Sequence, residues 1–252
     1  MLTVVLVEPE LPANVGFVAR SMACFGQADL RIVGRPGIAA HAEARRTASG
    51  GESVLESARE YADLDAAVAE CDLALGFSRR ARDPAQRVLD LPAAVALGAG
   101  PQGGAAAPAY TGHAALVFGC ESKGLSRDQV LRLTHVVRIP LRDPVLSLNL
   151  SHAVAIALHA FAGAGPAAES PSGDARGSAA PEPDPMTGPV SLAESQGILA
   201  SALELLAERG LLKPAKAEAQ RDYLRILWQR LQPTRPELEF LAGLIKKLSS
   251  RA

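Results

Sequence analysis

Three short segments of this chain gather the residue types that chemistry uses. The first is Glu8-Pro9-Glu10-Leu11-Pro12-Ala13-Asn14-Val15-Gly16-Phe17-Val18-Ala19-Arg20, where a β-branched run gives way to a helical pattern. Asn14 can cap that helix and Gly16 permits close approach. Arg20 follows about one turn later, and a guanidinium there can grip a phosphate through two parallel N–H donors. A lone surface Arg is ordinarily just solvated, so its meaning depends on what stands beside it. The second segment runs from Leu116 to Ser126, a buried strand entering a turn bounded by Gly119 and Gly124. Glu121, in its middle, can accept from a ligand hydroxyl or amine, or tie the turn's own N–H groups. Cys120 reads as a small space-filler. The third segment runs from Ile139 to Ser151. A strand ends at Ile139-Pro140, a Pro-bounded loop follows, and a helix opens near Ser147. Free N–H groups at a helix start can hold the polar edge of a ligand.

Each segment sits at a change of element, so the elements must position them. Thr3–Val7, Leu30–Val33, Leu73–Phe77, Ala115–Phe118 and Val136–Ile139 read as buried strands. Asn14–Phe25, Leu64–Cys71 with Asp63 as N-cap, a short helix opened by the Ser126-Arg127-Asp128-Gln129 capping box, and Ser147–Phe161 read as helices. Continuous apolar strands alternating with helices predict an α/β body, a mostly parallel sheet covered on both faces. In open sheets of this kind ligands bind beyond the carboxyl ends of the strands, where the three segments lie.

From Gly163 to Pro189 the sequence is crowded with Gly, Pro, Ala and Ser and cannot bury enough apolar surface to order itself. This divides the chain into a body at 1–162, a flexible linker at 163–190 and a helical extension at 191–252. The extension shows a capping box at Ser191–Glu194, a stop at Gly210, a helical stripe through Tyr223, Leu227 and Leu231, and a last helix opened by Thr234-Arg235-Pro236-Glu237.

The formal net charge of −1 excludes a uniformly basic protein that coats nucleic acid. The charge is uneven, however. Residues 209–252 carry ten Lys and Arg against four Asp and Glu, and the preceding 208 carry sixteen against twenty-three. No apolar run is long enough for a membrane span, and the N-terminus lacks the basic start of a signal peptide. Cys24, Cys71 and Cys120 are far apart and read as reduced thiols of a cytoplasmic protein. The five histidines show no zinc spacing, so no metal is expected, and His152 and His159 read as packed on one helix. Gly98-Ala99-Gly100-Pro101-Gln102-Gly103 spells the spacing of a dinucleotide turn, but follows no strand, opens no helix and contains Pro101, which argues against a nucleotide-dependent oxidoreductase.

Taken together and in order, Asn14-x-Gly16-x-x-x-Arg20, Phe118-Gly119-x-Glu121-x-x-Gly124-Leu125, and Ile139-Pro140 with Ser147-Leu148-Asn149-Leu150-Ser151 resemble the motif set of the SpoU/TrmH family of SPOUT RNA ribose 2′-O-methyltransferases. The resemblance covers residues 2–161 and extends to the tail. Leu224-Arg225-Ile226-Leu227-Trp228 with Pro236-Glu237-Leu238 is similar to the tail of a branch that modifies cytidine or uridine at position 32 of the tRNA anticodon loop. It implies a C-terminal trefoil knot, which base rates alone would argue against. It implies S-adenosylmethionine as cofactor, held by Phe77, Ser78, Arg79, Gly119, Glu121, Ile139, Leu146, Ser147 and Leu148, with Arg20 and Asn14 as catalytic residues and Lys123 and Asn149 toward the RNA. It also implies a homodimer in which Arg20 of one subunit lies near the cofactor of the other. The chain departs from that branch at Cys120, where arginine is common, at Leu146, where serine stands, and in the Phe77-Ser78-Arg79 loop. The alternatives are another tRNA or rRNA 2′-O-methyltransferase of the family, or a non-enzymatic RNA-binding protein that keeps the fold.

Overall fold

The alternation of buried strands and amphipathic helices produces an all-parallel sheet. The computed structural model describes residues 1–78, 88–98, 112–142, 147–162, 190–213, 216–231 and 233–249. In chain order the elements are β1 (Leu2–Val7), α1 (Pro12–Cys24), β2 (Asp29–Val33), α2 (Ala42–Thr47), α3 (Glu52–Glu56), β3 (Arg59–Tyr61), α4 (Leu64–Val68), β4 (Leu73–Phe77), β5 (Val88–Asp90), α5 (Leu91–Gly98), β6 (Ala114–Phe118), α6 (Arg127–Val130), β7 (His135–Arg138) and α7 (Leu150–Ala162). The tail adds α8 (Leu192–Glu208), α9 (Ala217–Leu231) and α10 (Arg235–Ser249). The strand order is β3-β2-β1-β6-β4-β7-β5, and every pairing is parallel.

The period of two along β1 sorts its side chains into two cores. Val4 and Leu6 join α1, α2, α3, α5 and α7 on one face. Val5 and Val7 join α4 and α6 on the other, where Leu192 of α8 completes the cluster. The tail therefore packs on the body: the Leu192 N–H donates to the Cys71 carbonyl at 2.8 Å. Within the tail, the Trp228 indole of α9 donates to Ser195 Oγ of α8 at 2.9 Å. Among the described residues no helix is long and apolar enough to cross a membrane.

Several local expectations are corrected. Helix α1 begins at Pro12, not Asn14, because proline fits the first helical position, where an N–H has no partner to lose. Asn14 is thus inside the first turn and caps nothing. Helix α4 ends at Val68, although Asp63 does cap it, accepting from the Ala66 N–H at 2.9 Å. Helix α7 begins at Leu150 rather than Ser147, since Asn149 takes the starting position: its carbonyl accepts from the Ala153 N–H and its side chain from the Ser151 N–H and hydroxyl. His152 is exposed, and His159 is exposed with its ring against Phe25. The short elements α2, α3, β3, β5 and α5 are additions to the expected order, since none spans enough residues to show a clear period. The linker segment 163–189 and residues 99–103 of the glycine-rich stretch lie outside the described residues; Gly98 closes α5.

Candidate functional site

A parallel sheet delivers all its strand ends to one edge. The carboxyl ends of β1, β6, β4 and β7 lead into Glu8, Gly119, Ser78 and Ile139, so the three motif loops emerge side by side where strand order reverses. Gly16, in α1, allows a close approach, but of protein rather than ligand. A Cβ there would lie 2.1 Å from the Ala44 carbonyl oxygen and from Thr47 Oγ1, so α2 is seated directly on α1. Gly51 does the same for α3, where a Cβ would meet the Ala19–Arg20 backbone at 2.6 Å.

Side-chain hydrogen bonds then join the three loops. Glu121 accepts from the N–H groups of Glu10 (2.7 Å) and Leu11 (3.2 Å) and from Asn14 Nδ2 (2.8 Å). Asn14 Oδ1 in turn accepts from Asn149 Nδ2 (3.0 Å). Asn149 Oδ1 accepts from the Ser151 N–H (2.8 Å) and hydroxyl (2.7 Å). One continuous chain of bonds therefore links β1–α1, the Gly119–Gly124 turn and the start of α7. Glu10 also accepts from the Ser122 hydroxyl. Burial alone would raise the Glu121 pKa, but the Asn14 amide and the N–H groups of Glu10 and Leu11 outweigh it and hold the carboxyl below the usual range. Glu121 is an anion at neutral pH with its acceptors in use, which suits a clamp better than a general base.

Above this network lies a cavity of about 400 Å³, within the roughly 300–1,000 Å³ of small-molecule sites. Phe77 and Phe118 form one wall, their rings stacked at 4.5 Å and 15°. Ser78, Gly119, Glu121, Lys123, Ile139, Ser147 and Leu148 also line it, so these predicted residues come together. Lys123 is exposed at its edge. Asn14 and Asn149 stand behind Glu121 rather than in the wall. Arg20 is not brought in: it is exposed on the outer face of α1 and has no hydrogen-bond partner among the described residues. Arg79 and Leu146 lie outside the described residues.

The turn is shaped by its glycines. Gly124 sits at φ +67°, and a Cβ on Gly119 would come within 2.2 Å of the Gly124 carbonyl carbon. Sequence reasoning missed Glu8, the one non-glycine at positive φ (+51°) among the described residues, which ends β1 beside the site. It also missed the part of Glu10. An acid two residues before a proline-started helix was the available signal for Glu10.

Comparison with known proteins agrees with this geometry. The SpoU rRNA Methylase family matches residues 1–159. The tRNA (cytidine/uridine-2'-O-)-methyltransferase TrmJ of Salmonella typhimurium is 30% identical over 249 residues, covering 98% of this chain and 96% of that protein. The tRNA (cytidine-2'-O-)-methyltransferase TrmJ of Methanocaldococcus jannaschii is 32% identical over 161 residues, 63% of this chain and 66% of that one. The crystal structure of TrmJ from Z. mobilis ZM4 shares the fold, with a TM-score of 0.78 and 24% identity over 99% of both chains.

Proposed function

Since the chain belongs to the SpoU rRNA methylase family, we propose that it transfers a methyl group from S-adenosylmethionine to a ribose 2′-hydroxyl of tRNA, at a cytidine or uridine of the anticodon loop. The observation that carries this reading is the hydrogen-bonded chain Glu121–Asn14–Asn149, which draws three motif loops around one cavity. Full-length similarity to the tRNA methyltransferases supports the choice of tRNA.

The cavity fits such a donor. The stacked Phe77 and Phe118 with Val137, Ile139 and Leu148 give apolar walls for a flat ring, and Ser78, Gly119 and Ser147 give polar or bare-backbone edges. When bound, S-adenosylmethionine supplies an already activated methyl group. The protein's own task is to place the hydroxyl and favour loss of its proton. Arg20 offers a planar fork of N–H donors rather than a base. Its guanidinium fixes the neighbouring phosphate and stabilises charge developing on the 2′-oxygen. Asn14 contributes by holding the loops in register, and in this reading the exposed Lys123 and Asn149 serve the RNA.

The working unit in this reading is a homodimer, with Arg20 serving the partner's cavity. Support comes from the exposed Arg20 itself and from exposed apolar side chains on the same layer, Leu11 just before α1, Phe17 of α1 and Ile156 of the adjoining α7. A trefoil knot in the C-terminal part of the body belongs to the same reading, as does a cytoplasmic location; the interleaved order β1-β6-β4-β7-β5 supports the knot. Arg20→Ala tests the assignment. Turnover should fall at least about a hundredfold, the scale of a lost charge-stabilising donor, while S-adenosylmethionine affinity by calorimetry stays within about twofold. Equal loss of both would make Arg20 structural.

A further inference from the structure

The tail packs against a stretch of backbone that connects two donor loops. Residues 126–138 run from the Gly119–Leu125 turn through α6 and β7 to Ile139. Helix α6 has only four residues, so the carbonyls at its end have almost no helix of their own to bond. Two glutamine amides of the tail serve them. Gln229 Nε2 of α9 donates to the Leu131 carbonyl (2.9 Å), to Val130 (3.3 Å) and to Leu133. Gln196 Nε2 of α8 donates to the Arg132 carbonyl between them (2.8 Å). At the other end of α6, Arg127 pairs with Asp222 of α9, which is 7% exposed and also pairs with Arg225 at 3.1 Å.

The gripped segment is packed tightly under the donor loops. Leu125 and Leu133 are 1% and 2% exposed. Both press on Gly76 of β4, where a Cβ would fall 2.4 Å from Leu133 Cδ1 and 3.2 Å from Leu125 Cδ1. Phe77 and Ser78, two residues of the cavity wall, follow directly. A shift of residues 130–133 therefore reaches the wall through packed atoms rather than through solvent.

We propose that Gln229 and Gln196 are positioning residues: by holding the 130–133 backbone they make the docked tail a working part of the donor pocket, so that tail and donor binding are coupled. The inference deepens the methyltransferase reading and rests on it. Its consequence is reciprocal: whatever seats the tail tightens donor binding, and bound donor tightens the tail.

The test uses the full chain and calorimetry with S-adenosylmethionine. Gln229→Met keeps length and helix propensity but removes the donor. Gln229→Lys returns a donor to the same end of the side chain, of a kind that commonly serves terminal helix carbonyls. The expected result is about tenfold weaker donor binding for Gln229→Met, measured where circular dichroism shows it folded, with most of the loss recovered in Gln229→Lys. A Gln229→Met protein that is folded and binds within about twofold of the unaltered chain overturns the proposal. Should Gln229→Met not fold, Gln196→Met, which removes a single bond, is read by the same two criteria. Failure of the unaltered chain to bind S-adenosylmethionine at all would instead count against the methyltransferase reading.

Discussion

Asp29 shows how a single carboxylate can be tied to the fold at the end of the sheet opposite the cavity. It accepts from Arg31, which is 1% exposed, and from Arg59 and Thr3. Burial pushes its pKa up, but those hydrogen bonds, Arg31 first, more than reverse this and bring it to about 2. A pKa below the unfolded value gives stability that is present above about pH 4 and is lost as pH falls through about 2. The contribution is roughly 2 kcal/mol. Asp29→Asn should therefore lower the urea unfolding free energy by about that amount at pH 7, and the gap from the unaltered chain should close between about pH 4 and pH 2. A gap that stays constant with pH would mean that packing, not ionisation, is what Asp29 supplies. Glu121 obeys the same sign, since its pKa is lowered as well. What could be read of these residues from sequence differs. Glu121 was visible because glycines frame it. The pairing of Asp29 with Arg31 and Arg59 depends on the register of β2 with β3, which composition does not reveal.

At the scale of elements, the seating of α1 decides where the site's first loop stands. Gly16→Ala would put a methyl group 2.1 Å from a backbone oxygen of α2, which cannot swing aside as a side chain can. Overpacking of this kind costs roughly 1–3 kcal/mol or more. The melting temperature should drop by several degrees, and the donor site should loosen with it; a variant as stable as the original would show that α2 is free to move. The strands lining the site were legible because buried parallel strands are continuous apolar runs, as in Leu73–Phe77 and Ala114–Phe118. β3 and β5 were not, because three-residue edge strands such as Arg-Glu-Tyr are mostly exposed and need no apolar code. The start of α1 was misplaced because Asn14 is a good cap by type, yet its amide is committed to Glu121 and Asn149, a tertiary use that local pattern cannot show.

At the scale of the whole molecule, an acidic body carries a basic tail, and the tail is docked rather than loose. Lys213, Lys216, Arg221 and Arg230 are exposed on it. Replacing these four with Gln should weaken tRNA binding and lower the slope of log affinity against log salt by up to about 0.7–0.9 for each phosphate no longer neutralised. An unchanged slope would place the RNA elsewhere. The two-sided core and the helical tail were readable from period and composition. That the tail would share a core with the body was not, since it depends on Leu192 reaching a patch formed by β1, β4, β6 and β7.

The account stands on the convergence of three loops into a site that methylates ribose oxygen. The most direct measurement is to incubate the full chain with tRNA and S-adenosylmethionine carrying a labelled methyl group, digest the RNA, and identify the labelled nucleoside by mass spectrometry. The account predicts 2′-O-methylcytidine or 2′-O-methyluridine from the anticodon loop, lost with Arg20→Ala. Label on a base, or none while the donor binds, would contradict it.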